Sequence, residues 1–304
     1  MKVWSATDGR LLSTLRGHIN EITDLTINYE NTLIAAGSCD KMIRVWCLKT
    51  TAPVTVLNGH NGAITSVKFC PLARDNNRYL VSTANDGCIC FWKYDSSTDE
   101  FQSKPIKFAE RHKQGSQLVC SSFSAGGVFL AVGSTDNYLR VYHITAPVGP
   151  TKILEIEQHS DHVDSIQFSN LSTRFVSGSK DGVAHIWYFE RQHWHNIPLK
   201  MSERLPDSPP VNEEVSRKIR VSMVGWTCDD LFVITSLSDH SLKVWYSQTG
   251  QLKHVLYGHE DEVFVIEAHP KDPRIFLSGG HDGAIILWDV LTGNTIKTVR
   301  QLRF

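Results

Sequence analysis

The hydrophobic residues of this chain fall in short alternating runs, not in helical stripes. Runs such as Met42-Ile43-Arg44-Val45-Trp46 and Ala284-Ile285-Ile286-Leu287-Trp288 end in an aromatic and read as β-strands. A small-residue turn precedes each, with an Asp six positions before the aromatic: Asp40, Asp86, Asp136, Asp181, Asp239 and Asp282. Such turns suit tight hairpins. A short apolar strand is predicted before each turn, as at 33–36 and 275–278. Upstream of that lies another strand, announced in four units by a His (His18, His60, His159, His259) four residues before an aliphatic. A fourth strand follows the aromatic, as at 54–57, 152–156, 252–256 and 295–299.

This four-strand unit recurs. Trp4, Trp46, Trp92, Trp187, Trp245 and Trp288 mark it, with Tyr142 filling the one double interval, so an aromatic returns about every 45 residues. The predicted units are 16–57, 58–110, 111–156, 157–198, 219–256 and 257–299. Residues 1–15 supply only the last two strands of an upstream unit, and 199–218 read as an inserted Pro-rich loop. A smaller insertion is expected over 95–114. Ser208 before Pro209 is a candidate phosphosite in the larger loop, against the plainer reading of an unmodified solvated segment.

Six such units in phase, with Gly-His ahead at His18, His60 and His259 and a Trp behind in all but the Tyr142 unit, resemble WD repeats over essentially the whole chain, although only Trp288-Asp289 keeps the Trp-Asp pair. The resemblance implies an all-β fold, a WD-repeat β-propeller. The count is six full four-stranded blades plus half a blade, expected to be a fragment of a larger closed propeller. The WD pattern also implies buried networks of His, Ser, Asp and Trp. Three are complete: His60, Ser82, Asp86, Trp92; His159, Ser177, Asp181, Trp187; and His259, Ser278, Asp282, Trp288. Elsewhere Ala36 replaces the Ser, Val132 and Tyr142 replace Ser and Trp, and Thr235 with Asp239 lacks the His.

Composition narrows the function. Lys plus Arg is 31 and Asp plus Glu 32, so no basic field is available for nucleic acid or anionic lipid. No apolar run has the length of a membrane span, and positions 1–15 lack a signal-peptide core. Seven Cys without paired spacing argue against a disulfide framework. Cys88-x-Cys90 reads either as a redox pair or, preferred here, as two buried small residues. The Ser, His and Asp could suggest a hydrolytic triad, but a trio repeated three times beside an indole serves structure. Gly-x-Ser-x-Gly and His-Glu-x-x-His are absent. His193-x-His195 and His159-x-x-His162 have metal-ligand spacing without a completing set. No enzyme activity, metal, cofactor or small-molecule substrate is therefore expected.

Longer stretches narrow the resemblance. The run Gly9-Arg10-Leu11-Leu12-Ser13-Thr14-Leu15-Arg16-Gly17-His18, then Asn28-Tyr29-Glu30-Asn31-Thr32-Leu33, Cys120-Ser121-Ser122-Phe123-Ser124 and Gly258-His259-Glu260-Asp261-Glu262-Val263 resemble the bromodomain and WD-repeat-containing family. The resemblance implies a nuclear, chromatin-associated regulator of transcription and cell morphology. The alternative it implies is a substrate receptor of a cullin-4 RING ubiquitin ligase, bound through the cullin-4 adaptor. Such receptors carry Trp-Asp-x-Arg; here the nearest forms are Trp46-Cys47-Leu48-Lys49 and Trp288-Asp289-Val290-Leu291. No bromodomain stretch is present, so acetyl-lysine reading does not carry over. The expected function is a non-catalytic protein-interaction platform. Its candidate partner-binding face is Asn20, Glu21, Asn61, Asp161, His162, Glu260, Asp261 and Glu262, with Cys39, Asn85, Lys180 and His281. The acidic residues would favour a basic peptide segment of a protein partner.

Overall fold

The computed structural model describes residues 1–5, 8, 10–71, 78–95, 97–98, 100–110, 115–145, 149–171, 174–205 and 219–300. Ser208 lies outside them. All regular structure among these residues is β, in antiparallel sheets whose strands follow chain order. β1 (Lys2–Trp4) pairs with β2 (Leu11–Thr14). The first four-stranded sheet is β3 (Ile22–Ile27), β4 (Leu33–Ser38), β5 (Met42–Cys47) and β6 (Pro53–Asn58). The second is β7 (Ile64–Phe69), β8 (Arg78–Ala84) and β9 (Cys88–Asp95), with β10 (Glu100–Phe101) and β11 (Ile106–Ala109) both on β9. The third is β12 (Leu118–Phe123), β13 (Phe129–Ser134), β14 (Tyr138–Thr145) and β15 (Gly149–Glu157). The fourth is β16 (Val163–Phe168), β17 (Phe175–Ser179), β18 (Val183–Glu190) and β19 (His193–Lys200). The fifth is β20 (Val221–Trp226), β21 (Phe232–Leu237), β22 (Leu242–Tyr246) and β23 (Leu252–Leu256). The sixth is β24 (Val263–Ala268), β25 (Ile275–Gly280), β26 (Ala284–Asp289) and β27 (Thr295–Arg300).

The contacts divide the chain into two compact units, Met1–Leu130 with His143–Thr151, and Ala131–Tyr142 with Lys152–Phe304. In each, the core lies between successive sheets. In the first unit Ala35, Ile43, Val45 and Leu57 meet Ile64, Val67, Leu80 and Trp92. In the second, Val176, Ala184 and Ile186 meet Val221, Val224 and Trp245. Alternation explains this, since residues two apart share a sheet face and pack together against the sheet beside them.

The Gly of the Gly-Ser-x-Asp turns has a packing reason. A Cβ at Gly178 would stand 2.6 Å from Val221 Cγ1 and 2.7 Å from Val224 Cγ1. The sheets approach too closely there for any side chain. Polar ties run beside the apolar contact. A bulge in β3 aims Asp24 at the next sheet, where it accepts Val67 N at 2.9 Å and Ser66 Oγ at 3.0 Å. The same bulge in β16 aims Ser165, which accepts Val224 N at 3.1 Å.

Two sequence boundaries move. The stretch 199–218 does not begin as a loop: β19 runs through Lys200, and Leu199 and Met201 are fully buried. The Pro-rich residues 206–218 fall outside the described residues. The expected insertion over 95–114 contains β10 and β11, which form the outer edge of the second sheet. That edge is split in two, so its alternation is too short to read.

Candidate functional site

Each sheet builds the same end from two turns. In all six hairpins the Asp side chain accepts the backbone N–H two residues on, for example Cys88 N at 3.0 Å and Val183 N at 2.9 Å. The residue after each Asp is left-handed: Lys41, Gly87, Asn137, Gly182, His240 and Gly283, with φ between 68° and 79°. Asp-Gly and Asp-Asn suit that geometry.

Where a His precedes the first strand, the Asp also reaches across to it. His60 Nδ1 lies 3.2 Å from Asp86 Oδ1 and Nε2 lies 2.8 Å from Ser82 Oγ, while Trp92 Nε1 donates to Ser82 Oγ at 3.0 Å. His159, Ser177, Asp181 and Trp187 repeat this at 3.0, 2.9 and 2.9 Å. So do His259, Ser278, Asp282 and Trp288 at 3.0, 2.7 and 2.8 Å. One proton assignment gives every group a partner: indole N–H to Ser, Ser O–H to His Nε2, His Nδ1–H to Asp. The same Asp accepts the backbone N–H after the His, such as Asn61 N at 2.8 Å. Burial works against the Asp86 charge, yet the His60 bond and these N–H groups hold its carboxyl below the usual range. Asp181 and Asp282 are lowered against burial in the same way. Ser82, Ser177 and Ser278 are wholly buried. No substrate carbonyl can reach those hydroxyls.

The sheets that break the pattern repair it. In the first, His18 Nδ1 sits 2.8 Å from Asp40, and its Nε2 lies 3.2 Å from the Ala36 carbonyl in place of a Ser. The third lacks the His, and Arg140 takes its role: its guanidinium donates to Asp136 Oδ2 and Ser134 Oγ at 2.9 Å and to Glu155 at 2.8 Å. Ser134 also donates to Asp136. In the fifth, Trp245 Nε1 donates to Thr235 Oγ1 at 3.0 Å, but Met201 Sδ lies where a His ring would bond the hydroxyl, at 3.6 Å. Lys243 Nζ clamps that segment through the Met201 and Glu203 carbonyls at 2.6 Å each. Both replacements escaped the sequence reading. Each His-less unit carries a long cation two residues before its aromatic, Arg140 before Tyr142 and Lys243 before Trp245, but so does the first unit, which has its His, at Arg44 before Trp46. Alternation puts the two side chains on one face.

His185 occupies the corresponding position in the fourth sheet. It is buried, 4.8 Å from His159, and bonded through Nδ1 to Asn196 Oδ1 at 2.9 Å. Burial first, then the electrostatic effect of the neighbouring His159, push it down to about 4. The unfolded chain, with a His near 6.5, binds the proton more readily, so stability falls as pH drops from 6.5 through 4. The loss amounts to roughly 3 kcal/mol. Melting temperatures between pH 7.5 and 4.5 are expected to fall less for His185→Gln than for the unaltered chain. Equal falls would show that His185 does not titrate in that window.

The turns ahead of the first strands join the hairpin turns edge to edge. Glu21 O accepts Cys39 N at 2.9 Å, Ala63 O accepts Asn85 N at 2.9 Å, His162 O accepts Lys180 N at 3.0 Å and Glu262 O accepts His281 N at 2.9 Å. In the first unit Asn20, Glu21, Asn61 and Asn85 are exposed and Cys39 is half-buried. In the second, Glu260, Asp261, Glu262 and His281 are exposed, while Asp161, His162 and Lys180 are half-buried. Not all the acid is free. Glu260 pairs with Arg300 at 2.9 Å, and Glu262 accepts Ser222 Oγ at 2.9 Å. Lys180 sits 3.5 Å from Asp164. His159 spends both ring nitrogens on its network, and among the described residues no three His, Cys, Asp or Glu gather as metal ligands. Cys88 and Cys90 are buried and not joined in a disulfide, and burial pushes the Cys90 thiol up to about 12.

The family model for the WD domain, G-beta repeat, matches residues 9–47, 51–93, 103–143, 150–188 and 250–289. The chain belongs to the WD-repeat family. Each matched span joins the outer strand of one sheet to the three inner strands of the next. Residues 189–249 fall outside the spans and include the inner strands of the fifth sheet, the one with no His and Met201 in its place. The chain is 28% identical to a bromodomain and WD repeat-containing protein of Dictyostelium discoideum over 98% of its own length, and spans 16% of that relative. It is 22% identical to the eukaryotic translation initiation factor 3 subunit I of Nematostella vectensis, covering 93% of this chain and 84% of that one. It is 25% identical to a U5 small nuclear ribonucleoprotein 40 kDa protein of Dictyostelium discoideum, at 91% and 83%. WD repeats are in general non-catalytic scaffolds for protein–protein interaction, and the WD-repeat chain described here has that architecture.

Proposed function

We propose that the six sheets serve as propeller blades of a non-catalytic interaction platform in a nuclear, chromatin-associated regulator of transcription and cell morphology. The turn-bearing sheet ends would grip a basic segment of a protein partner. The observation that carries this is the exposed run Glu260-Asp261-Glu262, three carboxylates on a turn fixed by Asp282 through Glu260 N. A fixed acidic turn lowers the ordering cost of meeting Lys or Arg. The nuclear and chromatin setting is supported by the Dictyostelium relative described as bromodomain and WD repeat-containing, and by the longer stretches that resemble its family. The full burial of the three Ser hydroxyls supports a non-catalytic role. The ligase-receptor reading gains no support from the third-strand ends, where Lys49 and Leu291 stand in place of the adaptor-contacting Arg.

Glu260→Lys with Glu262→Lys is expected to strip partners from the chain in affinity purification from nuclear extract read by mass spectrometry. Melting temperature should hardly move, because the Arg300 pair is exposed and such pairs contribute under about 1 kcal/mol. Retention of every partner would overturn the proposal.

A further inference from the structure

The β1–β2 hairpin seats Leu15 against Ile34, Ala36 and Trp46 of the first sheet and leaves a cavity of about 480 Å³ beside that contact. Leu15, Ile22 and Trp46 form its apolar wall, Arg16, Gly17 and Asn20 also line it, and among the described residues no Asp or Glu does. Trp46 is 3% exposed, and its indole N–H has no acceptor among the described residues. Trp92, Trp187, Trp245 and Trp288 each donate to a Ser or Thr hydroxyl. Ala36 stands where that hydroxyl would be, and its carbonyl serves His18 instead. Arg44 lies two residues before Trp46 on the same face, at the register where Arg140 and Lys243 find their partners. Its neighbours across the strands are Ala36 and Val56, and the Asp40 carboxylate is taken by His18, Ile19 N and Met42 N. Arg44 Nε is buried without a hydrogen-bond partner, and so is Ser13 Oγ, two residues before Leu15. A Cβ on Gly17 would stand 3.1 Å from Arg44 Cδ and Nη1, so the guanidinium lies against the backbone that lines the cavity.

A buried donor without an acceptor is costly, and an unpaired guanidinium more so. An anion between the indole and the guanidinium satisfies both. A carboxylate suits the pair: its two oxygens match the guanidinium fork and leave a lone pair for the indole N–H. Leu15, Ile22 and the Trp46 ring then cover the apolar group that carries it. We propose that this cavity binds a carboxylate borne on a short apolar group, with Trp46 Nε1 and the Arg44 guanidinium as its donors. A free aliphatic acid and the C-terminal carboxylate of a peptide share that chemistry. The site does not depend on the acidic turns.

The test titrates the full chain calorimetrically with hexanoate, hexanamide, formate, and the peptide acetyl-Gly-Gly-Leu as free carboxylate and as amide. At least one of hexanoate and the peptide carboxylate is expected to bind about tenfold tighter than its own amide and than formate. The tighter of those two carboxylates names the source, free acid or chain terminus. Trp46→Phe keeps a ring and removes the N–H, and Arg44→Met keeps the stem and removes the charge; each should weaken the carboxylate about tenfold. Arg44→Met should leave the melting temperature level or raise it, because it breaks no bond and removes an unpaired buried Nε. Equal binding of the amides would overturn the proposal in favour of an apolar pocket, and equal binding of formate would reduce it to an unselective anion contact. Unchanged affinity in both variants would place the carboxylate elsewhere, and no binding of either carboxylate would overturn the proposal outright.

Discussion

Arg140→Met is expected to destabilise the chain by about 3–5 kcal/mol, a large shift in urea midpoint. Arg140 and Asp136 have wholly buried side chains, and the guanidinium is spread over Asp136, Ser134 and Glu155. The shape of methionine fits the space, but the change leaves the Asp136 carboxylate buried beside a Ser hydroxyl with no cation. Burial opposes the Asp136 charge, and the Arg140 bond is what holds its carboxyl below the ordinary range. Removing the charge at both ends, Arg140→Met with Asp136→Asn, should recover much of the loss, because no uncompensated charge remains. A single-variant loss under 1 kcal/mol would show that Arg140 does not stand in for the missing His.

The second expectation compares two Asp residues at one register. Asp86→Ala should cost about 3 kcal/mol or more, and Asp239→Ala under about 1 kcal/mol. Asp86 accepts His60, Asn61 N and Cys88 N, so its loss strands the donors of the buried His60 and Cys88 as well as the exposed Asn61 N. Asp239 accepts the N–H and hydroxyl of its neighbour Ser241, two residues on, which water can replace. The Asp86 carboxyl is held below its ordinary 3.8, so its contribution is complete above that pH and lost as pH falls through its lower folded value. The gap between the unaltered chain and Asp86→Ala should therefore begin to narrow below about pH 4. Equal costs for the two substitutions at neutral pH would mean that the Asp acts through its own hairpin alone.

Much of this was legible in sequence because it is local. A hairpin needs an Asp and a left-handed residue at fixed spacing, and a strand needs alternation; both are written within ten residues. The three complete networks were legible because the same side chains recur in phase. The substitutes were not legible. Ala36 looks like a lost partner, yet its backbone carbonyl serves. Met201 looks like the start of a loop, yet it fills a sheet. Nothing in the spacing of Lys243 says that it will clamp two carbonyls some 40 residues upstream, where burial brings its ammonium down to about 8.

The sequence by itself determined the repeat, the strand order within each sheet and the Asp turns, since these follow from backbone periodicity and short-range hydrogen bonding. Only the tertiary structure decided how each sheet satisfies its buried hydroxyls and carboxylates. A buried polar group takes whichever donor or acceptor lies within 3 Å, and that choice depends on packing between sheets, not on neighbours in the chain. The cavity beside Trp46 belongs to the same class. Leu15, Ile22 and Trp46 come from separate segments, and only the seating of the β1–β2 hairpin on the first sheet brings them around one space.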